Sequence, residues 1–341
     1  MGGKAIKNTP VRRFARNEYL ELEARVLAQL HQDFPGRRAE AIQAYRTKPD
    51  FGDMDVLMES DGLTLDIPQY LVDTFGSKEV APNGDVISFE YQEFQVDLIL
   101  TPKKYFQTSV NYFAWNDLGN LLGRVAHAHG RAKLGHKGLT FPFKHGDYMF
   151  EELEIEHDWA VILPAFGFDY ERWKAGFDTT EDIFHFVASS PLFNKEIYLL
   201  HNRNNKSRVR DAKRKTYSDF LLWLEAQPEG SLPAFPYPED RYEMLPRLFE
   251  TLPGFREKYQ AVKARFDDHV RFQERFNGEY VSQVTGRTGK ALGPLMKHLR
   301  NQFPEKGGQR DFVLKCSDEQ LAAWVLDNHR QLELQPEQQN Q

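Results

Sequence analysis

Tyr45–Met58 reads Y-R-T-K-P-D-F-G-D-M-D-V-L-M, and Phe94–Thr101 reads F-Q-V-D-L-I-L-T. In the first stretch, Asp53 and Asp55 are separated by one residue and stand directly before an apolar run. Because successive side chains of a strand point to opposite faces, these two carboxylates would share a face. We therefore expect both to project from the same side of one strand.

A third acidic residue, Asp97, lies inside the apolar run Val96–Leu100, whose composition is typical of a buried strand. A lone charge in such a strand is costly to bury. If the two strands are neighbours, the three carboxylates converge. Mg²⁺ is commonly held by one or two carboxylates together with substrate phosphates. The pattern therefore predicts a site for Mg²⁺ or Mn²⁺ and for phosphoryl or nucleotidyl transfer, although an Asp-x-Asp pair alone also occurs by chance.

The arrangement resembles the nucleotidyltransferase superfamily, and within it the palm of family X, DNA polymerase beta-like enzymes. The resemblance covers about residues 12–190 and is carried by Gly52–Leu57, Val96–Ile99 and Tyr112-Phe113. It implies an α+β fold, in which a polymerase beta-like palm, a mixed sheet with flanking helices, is followed by a helical C-terminal domain. It also implies that Asp53 and Asp55 ligate two metal ions and that Asp97 holds the catalytic one.

The resemblance further implies a nucleotide site in the turn before Asp53. Family members carry a Gly-Ser pair there, followed by an aromatic residue and two arginines. In this chain the serine position is most naturally Ala44, before Tyr45 and Arg46, although an ungapped alignment would select Gln43. The Gly-Ser pair is missing in both alignments. The implied nucleotide-binding residues are Ala44, Tyr45, Arg46, Lys48, Gly52, Tyr112, Phe113, Asp117 and Asn120.

Tyr112-Phe113 matches a family pair that packs on the sugar and disfavours a 2′-hydroxyl. The match is partial, because the family continues Thr-Gly-Ser where this chain has Ala114-Trp115-Asn116. Asp117, Asn120 and Arg124 fall at the family's spacing for base, minor-groove and template contacts. An ordinary solvated helix face explains these three residues equally well.

Composition limits the class of protein. The chain has 341 residues, a mass of 39.7 kDa and one cysteine, Cys316, so it is long enough for two domains and has no internal disulfide. It contains no apolar run of membrane-spanning length and no apolar core of a signal peptide near its start. The sequence therefore predicts a cytoplasmic protein with no membrane partner.

A formal net charge of −6 excludes a uniformly basic coat, so a nucleic acid would need a local basic patch. The densest run of basic residues is Arg203–Lys215, where Asp211 is the only acidic residue. A solvated helix face is the competing interpretation. The predicted nucleic-acid-binding residues are Arg124, Arg210, Lys213, Arg214 and Lys215.

The chain is predicted to contain a palm (residues 1–115), a nucleotide-facing subdomain (116–195), a helical C-terminal domain with a possible nucleic-acid site (196–335) and a disordered tail (336–341). Met1–Pro10 would be flexible or wrapped on the surface. We expect a helix over Asn17–Gln32, a first palm strand over Ala41–Arg46, an antiparallel pair of Val86–Tyr91 with Phe94–Leu100, and strands over Leu139–Phe143 and Ile155–Leu163.

Asn277–Gly293 contains an N-G…T-G-x-x-G-K-x-L-G pattern. It is similar to the tail of bacterial CCA-adding tRNA nucleotidyltransferases and their poly(A) polymerase relatives. A glycine-bearing loop before a helix can expose backbone N–H groups to an anion. A glycine-linked helical hairpin without a ligand is the simpler alternative.

The sequence predicts an enzyme that uses a nucleoside triphosphate to add nucleotides to a DNA or RNA 3′ end and releases pyrophosphate. The alternative is transfer of NMP to a protein or a small molecule. A binding module without catalysis is disfavoured, because all three carboxylates are present. The acceptor, template use, sugar preference and oligomeric state stay open.

Overall fold

The computed structural model describes residues 5–303, 305 and 307–334. The described residues of 1–142 and 152–256 form one compact unit, and those of 143–151 and 257–341 form a second. The chain has a mixed sheet with flanking helices, so the predicted α+β class is confirmed. The predicted tail, 336–341, lies outside the described residues. No helix in the described ranges is long and apolar enough to cross a bilayer.

The strands of the described residues are β1 (Phe14–Ala15), β2 (Ala39–Ala41), β3 (Asp50–Phe51), β4 (Asp53–Glu59), β5 (Val80–Asn83), β6 (Val86–Tyr91), β7 (Phe94–Thr101), β8 (Lys133–Gly135), β9 (Gly138–His145) and β10 (Tyr148–Glu156). The main sheet has the order β2-β4-β7-β6-β5. Strands β4 and β7 are parallel, and the other neighbours in this sheet are antiparallel. The predicted pairing of Val86–Tyr91 with Phe94–Leu100 is confirmed.

The helices of the described residues are α1 (Arg16–Asp33), α2 (Ile67–Phe75), α3 (Phe106–Phe113), α4 (Leu118–Ala128), α5 (Trp159–Ala165), α6 (Tyr170–Ala175), α7 (Thr180–Ala188), α8 (Asn205–Asp211), α9 (Lys215–Glu225), α10 (Leu245–Thr251), α11 (Phe255–Arg275), α12 (Gly278–Thr285), α13 (Leu292–Asn301), α14 (Gly308–Lys315) and α15 (Asp318–Leu334). Helix α1 confirms the helix predicted over Asn17–Gln32.

The core of the first unit lies between the main sheet and helices α1 and α2. Met54, Val56 and Met58 alternate along β4 and are fully buried, together with Leu22 and Val26 of α1. This alternation sends the intervening carboxylates of β4 to the other face of the sheet. Burial of the apolar face therefore fixes the direction in which the acidic residues point.

Two strand predictions are wrong. Strand β2 ends at Ala41, because the chain then leaves the sheet and the Arg46 N–H donates to the Phe177 carbonyl, 2.9 Å away. Strand β10 ends at Glu156, and most of Ile155–Leu163 lies in helix α5. The Asp158 carboxylate caps α5 by accepting from the Ala160 N–H at 2.8 Å. A short apolar run is compatible with a strand or with a buried helix, and here the Asp158 cap favours the helix.

The second unit has a helical core of its own. Phe276, Val281, Leu295, Leu299, Val313, Leu321 and Val325 are buried together. Asn277 caps α12 by accepting from the Tyr280 N–H at 2.9 Å, and Gly286 ends α12 with a φ of 72°. The described residues of 257–334 contain helices and no strand. The glycine-bearing loop is tied to α15, because Arg287 Nε lies 2.7 Å from His329 Nε2.

The first unit buries a histidine just beyond α4. His129 has no exposed surface, and neither ring nitrogen has a hydrogen-bond partner in the described part of the chain. Its ring packs against Phe166, Phe235 and Tyr237. Burial, with a smaller effect of Arg247, lowers the pKa of His129 to about 4. The folded protein therefore keeps this imidazole neutral.

This burial predicts a pH dependence of stability. Above about pH 6.5 neither the folded nor the unfolded state protonates His129, so it has no effect. Between about pH 6.5 and 4 the unfolded state binds the proton and the folded state does not, so stability falls as the pH falls. We expect His129→Phe to remove about 2–3 kcal/mol of this loss. Urea unfolding at pH 7 and pH 4.5 measures this loss of stability, and His185→Phe, at an exposed histidine, is the control. The same loss between the two pH values in His129→Phe and in the wild type would contradict the assignment.

Candidate active site around three aspartates

The parallel pairing of β4 with β7 brings the three predicted carboxylates together. In the register Asp55 is opposite Asp97, and Asp53 is opposite Gln95. Asp53 and Asp97 therefore flank Asp55 on one face of the sheet, near the N-terminal ends of both strands. The face and the spacing follow from the alternation of each strand, and the convergence follows from the pairing.

The charges of these carboxylates are poorly compensated. Burial raises the pKa of Asp55 to about 7, and the negative charges of Asp53 and Asp97 add to this, with Lys48 as the main opposing charge. Burial also raises the pKa of Asp97, while hydrogen bonds from Ser88 and Gln95 oppose the rise. A cation bound to these carboxylates would also reduce the repulsion between their negative charges.

A cleft of about 690 Å³ opens over two of the carboxylates, Asp53 and Asp55. The other predicted site residues that line it are Ala44, Tyr45, Lys48, Gly52, Phe113, Asp117 and Lys215. Tyr19, Asn116 and Thr180 also line it and were not predicted. The size of the cleft is in the range of small-ligand pockets.

Lys48 lines the same cleft as the acidic pair and interacts electrostatically with both carboxylates. Its ammonium group lies 4.3 Å from the centre of the Phe51 ring, and both residues line the cleft. Burial lowers the pKa of Lys48, while Asp53 and Asp55 oppose the shift. A partly desolvated lysine beside carboxylates can neutralise a phosphate that enters the same space.

Arg46 is directed elsewhere. Its guanidinium donates to the Asp178 carboxylate at 2.7 Å and to the Ala175 carbonyl. It lines a separate cavity of about 330 Å³ together with Arg16 and Lys174. Arg46 thus connects the turn before Asp53 to a loop about 130 residues later in the chain, and Asp178 neutralises its charge.

Tyr112, Asn120 and Arg124 do not line the cleft. Helix α4 approaches α3 so closely that a Cβ on Gly119 would lie 2.2 Å from the Tyr112 carbonyl oxygen. The amide nitrogen of Asn120 is buried without a hydrogen-bond partner in the described ranges. Burial, with the charge of Arg203, lowers the pKa of Arg124 to about 10. Tyr112 therefore lies in the packed junction of α3 and α4, and Asn120 and Arg124 are half-buried on α4.

The basic run Arg203–Lys215 is largely neutralised within the chain. Arg203 and Asp211 form an ion pair of 2.7 Å with side chains 2% and 0% exposed, and Arg210 also contacts Asp211 at 2.9 Å. Arg214 pairs with Asp117, and Lys215 pairs with Asp219 at 2.6 Å. Lys206, Arg208 and Lys213 are exposed and form no ion pair with described residues. The dense run therefore presents fewer free cations than its sequence indicates.

The loop between α3 and α4 carries backbone strain. Trp115 and Asn116 both have a φ of 62°, a region that non-glycine residues rarely adopt. The Trp115 N–H donates to the Gln43 carbonyl at 2.7 Å, which holds the strained turn against the segment before the cleft. Strain of this kind concentrates at functional sites. Asn116 is of a residue type that adopts such a φ more often than most, whereas Trp115 gives no such signal in the sequence.

The donor chemistry of the site suits a hard divalent cation. Oxygen ligands from one or two carboxylates, completed by substrate phosphates, are the usual Mg²⁺ environment. No group of three acidic, histidine or cysteine side chains in the described ranges is arranged to hold a metal ion by itself. Asp53 and Asp55 would therefore need further oxygen ligands, from water or from substrate phosphates, to complete a metal site.

Comparison with known proteins adds no assignment. No protein-family model matches the chain. No protein of curated function matches it either. The functional assignment therefore depends on the three carboxylates, the cleft and the motif resemblance.

Proposed function

We propose that the chain is a metal-dependent nucleotidyltransferase with a polymerase beta-like palm. It would transfer a nucleoside monophosphate from a nucleoside triphosphate to the 3′ end of a nucleic acid. The observation that carries this proposal is the acidic face of β4 and β7, where Asp53, Asp55 and Asp97 converge beside a cleft that also contains Lys48.

In the proposed reaction the 3′-hydroxyl oxygen bonds to the α-phosphorus, and the bond from that phosphorus to the bridging oxygen breaks. Pyrophosphate leaves with the electron pair of that bond. Asp97 would accept the proton of the attacking hydroxyl, and Lys48 would neutralise part of the triphosphate charge. Asp53 and Asp55 would hold Mg²⁺ or Mn²⁺, which supplies charge neutralisation at the reacting phosphate.

A second function, transfer of NMP to a protein or a small molecule, is favoured by one observation. Four of the cations in Arg203–Lys215, the predicted polymer-binding run, are paired with acidic residues of the same chain. An enzyme with a small acceptor needs no long phosphate-binding surface. This function uses the same carboxylates and the same cleft, so it differs from the first only in the acceptor.

The acceptor can be identified directly. The protein is incubated with Mg²⁺, each labelled NTP or dNTP, and one acceptor at a time: primed DNA, single-stranded DNA, tRNA, or a protein and metabolite mixture. We expect label in a nucleic acid and pyrophosphate in equal amount, with none in EDTA or with Asp53→Asn. Label in protein or metabolite alone would favour the second function. No transfer to any acceptor, or full transfer by Asp53→Asn, would overturn the assignment.

Two of the unpaired cations of the basic run, Lys206 and Lys213, predict where a polymer would lie. Replacing Lys206 and Lys213 with Ala should weaken nucleic-acid binding and lower the salt slope of log K by about 1.4–1.8, since each phosphate contact contributes about 0.7–0.9. Fluorescence anisotropy over a salt titration measures the slope. The control replaces Lys78 and Lys195, which are also exposed lysines of the same unit. The same slope in both double variants would show that Lys206 and Lys213 contact only solvent.

A further inference from the structure

The residues Ala5–Thr9, here called the N-terminal strap, are bound to the edge of the main sheet. The Glu79 carboxylate, just before β5, accepts hydrogen bonds from three consecutive backbone N–H groups of the strap. These groups belong to Lys7 (2.9 Å), Asn8 (2.7 Å) and Thr9 (2.7 Å). The sequence predicts a flexible or wrapped Met1–Pro10, and the described part of it is wrapped.

The other end of the strap binds Gln95 of β7. The Gln95 side-chain oxygen accepts from the Ala5 N–H at 3.0 Å and from the Ile6 N–H at 3.3 Å. Gln95 is 2% exposed and Ile6 is 5% exposed, so water does not compete for these bonds. The strap thus spans from the edge strand β5 to β7, two strands further into the sheet.

The same amide contacts a predicted catalytic residue. Gln95 Nε2 donates to both carboxylate oxygens of Asp97, at 2.9 and 3.1 Å. Backbone N–H groups can only donate, so they hold the amide oxygen on the strap side, and the amide nitrogen must then face Asp97. The strap therefore determines which end of the Gln95 amide faces the carboxylate.

We propose that the N-terminal strap contributes to the active site by orienting Gln95. Gln95 is then the positioning residue that holds Asp97. This inference rests on the proposed nucleotidyl transfer and assigns a role to residues outside the acidic motif. Without the strap, the buried Gln95 oxygen would lose both donors, and an unsatisfied buried acceptor is unfavourable. The amide would then rotate or recruit water, and the Asp97 carboxylate would lose its fixed orientation.

The test compares Gln95→Leu with Glu79→Ala. Glu79→Ala releases the strap two strands away from β7 and changes no residue that contacts Asp97. Loss of a group that hydrogen-bonds to a metal ligand commonly lowers metal affinity or activity by about 10–100-fold. We expect Gln95→Leu to lower kcat and Mn²⁺ affinity by about 10–100-fold, and Glu79→Ala to lower both in the same direction, with the KM for the nucleotide little changed.

Two readouts separate positioning from general damage. Mn²⁺ binding is measured by electron paramagnetic resonance without nucleotide, and kcat and KM are measured on the acceptor found for the wild type. The double variant should be no worse than Gln95→Leu alone, because both changes break one chain of contacts. The matched control is Asp66→Ala, which removes another carboxylate of the same unit that accepts from a backbone N–H, that of Gln69 at 3.1 Å.

The outcomes are decisive. If the wild type binds Mn²⁺ and transfers nucleotide but Glu79→Ala matches it in both readouts, or if the two changes are additive, the strap proposal is wrong and the proposed function stands. If the wild type neither binds Mn²⁺ nor transfers nucleotide, the proposed function fails and the strap proposal fails with it. If Glu79→Ala does not fold, Ala5→Pro replaces it, since proline removes the 3.0 Å donor to Gln95.

Discussion

Asp55→Asn is expected to reduce nucleotidyl transfer by about 10³-fold or more and, at the same time, to raise the melting temperature of the metal-free protein. The first effect follows from the role of the carboxylate, because electrostatic stabilisation is the main catalytic contribution in phosphoryl transfer. The second follows from its surroundings. Burial and the charges of Asp53 and Asp97 raise the pKa of Asp55 to about 7, so the ionised form is destabilised in the folded protein.

An amide of the same shape removes this cost. We expect a gain of about 1–3 kcal/mol at neutral pH, since each unit of pKa shift corresponds to about 1.4 kcal/mol and solvent relaxation reduces the total. Thermal unfolding in EDTA and transfer in Mg²⁺ measure the two effects on the same sample. Asp85→Asn, an exposed aspartate of the same unit, is the control and should change neither. A variant that is inactive and less stable would show that Asp55 is a structural acid.

The acidic face was predictable because its signals are local. Alternation along β4 and the apolar run around Asp97 each lie within a few residues. The parallel direction of β4 and β7 had no such signal. After β4 the chain passes through α2, β5 and β6 before β7 pairs with β4, and this long connection lets β7 run parallel to β4.

The state of each cation was not predictable from its neighbours in sequence. Arg46 is neutralised by Asp178, which is 132 residues away, and Arg214 by Asp117, which is 97 residues away. A basic run therefore indicates only potential charge. The role of Gln95 was not predictable for the same reason, because the strap residues that orient its amide lie 89 and 90 residues earlier in the chain. Its position two residues before Asp97, on the same strand face, was the one available signal.

The second large effect concerns the buried ion pair in the basic run. Asp211→Ala is expected to destabilise the first unit by about 3–5 kcal/mol, because it leaves the Arg203 guanidinium charged and buried without its partner. Arg203 and Asp211 are 2% and 0% exposed and lie 2.7 Å apart. Arg203 also donates to the Tyr217 hydroxyl at 3.0 Å, and that hydroxyl donates to the Tyr198 carbonyl at 2.6 Å. The loss would therefore spread into a polar network that joins α8 to α9.

Chemical unfolding measures this effect, and two further variants define its cause. Asp219→Ala breaks the pair with Lys215, whose side chain is 82% exposed, and should cost less than about 1 kcal/mol. Replacing both members of the buried pair, as Arg203→Met with Asp211→Leu, should recover most of the stability, because no charge is then left buried. If Asp211→Ala were as stable as Asp219→Ala, the Arg203 guanidinium would have access to water. Arg203 would then be one of the exposed cations of the basic run.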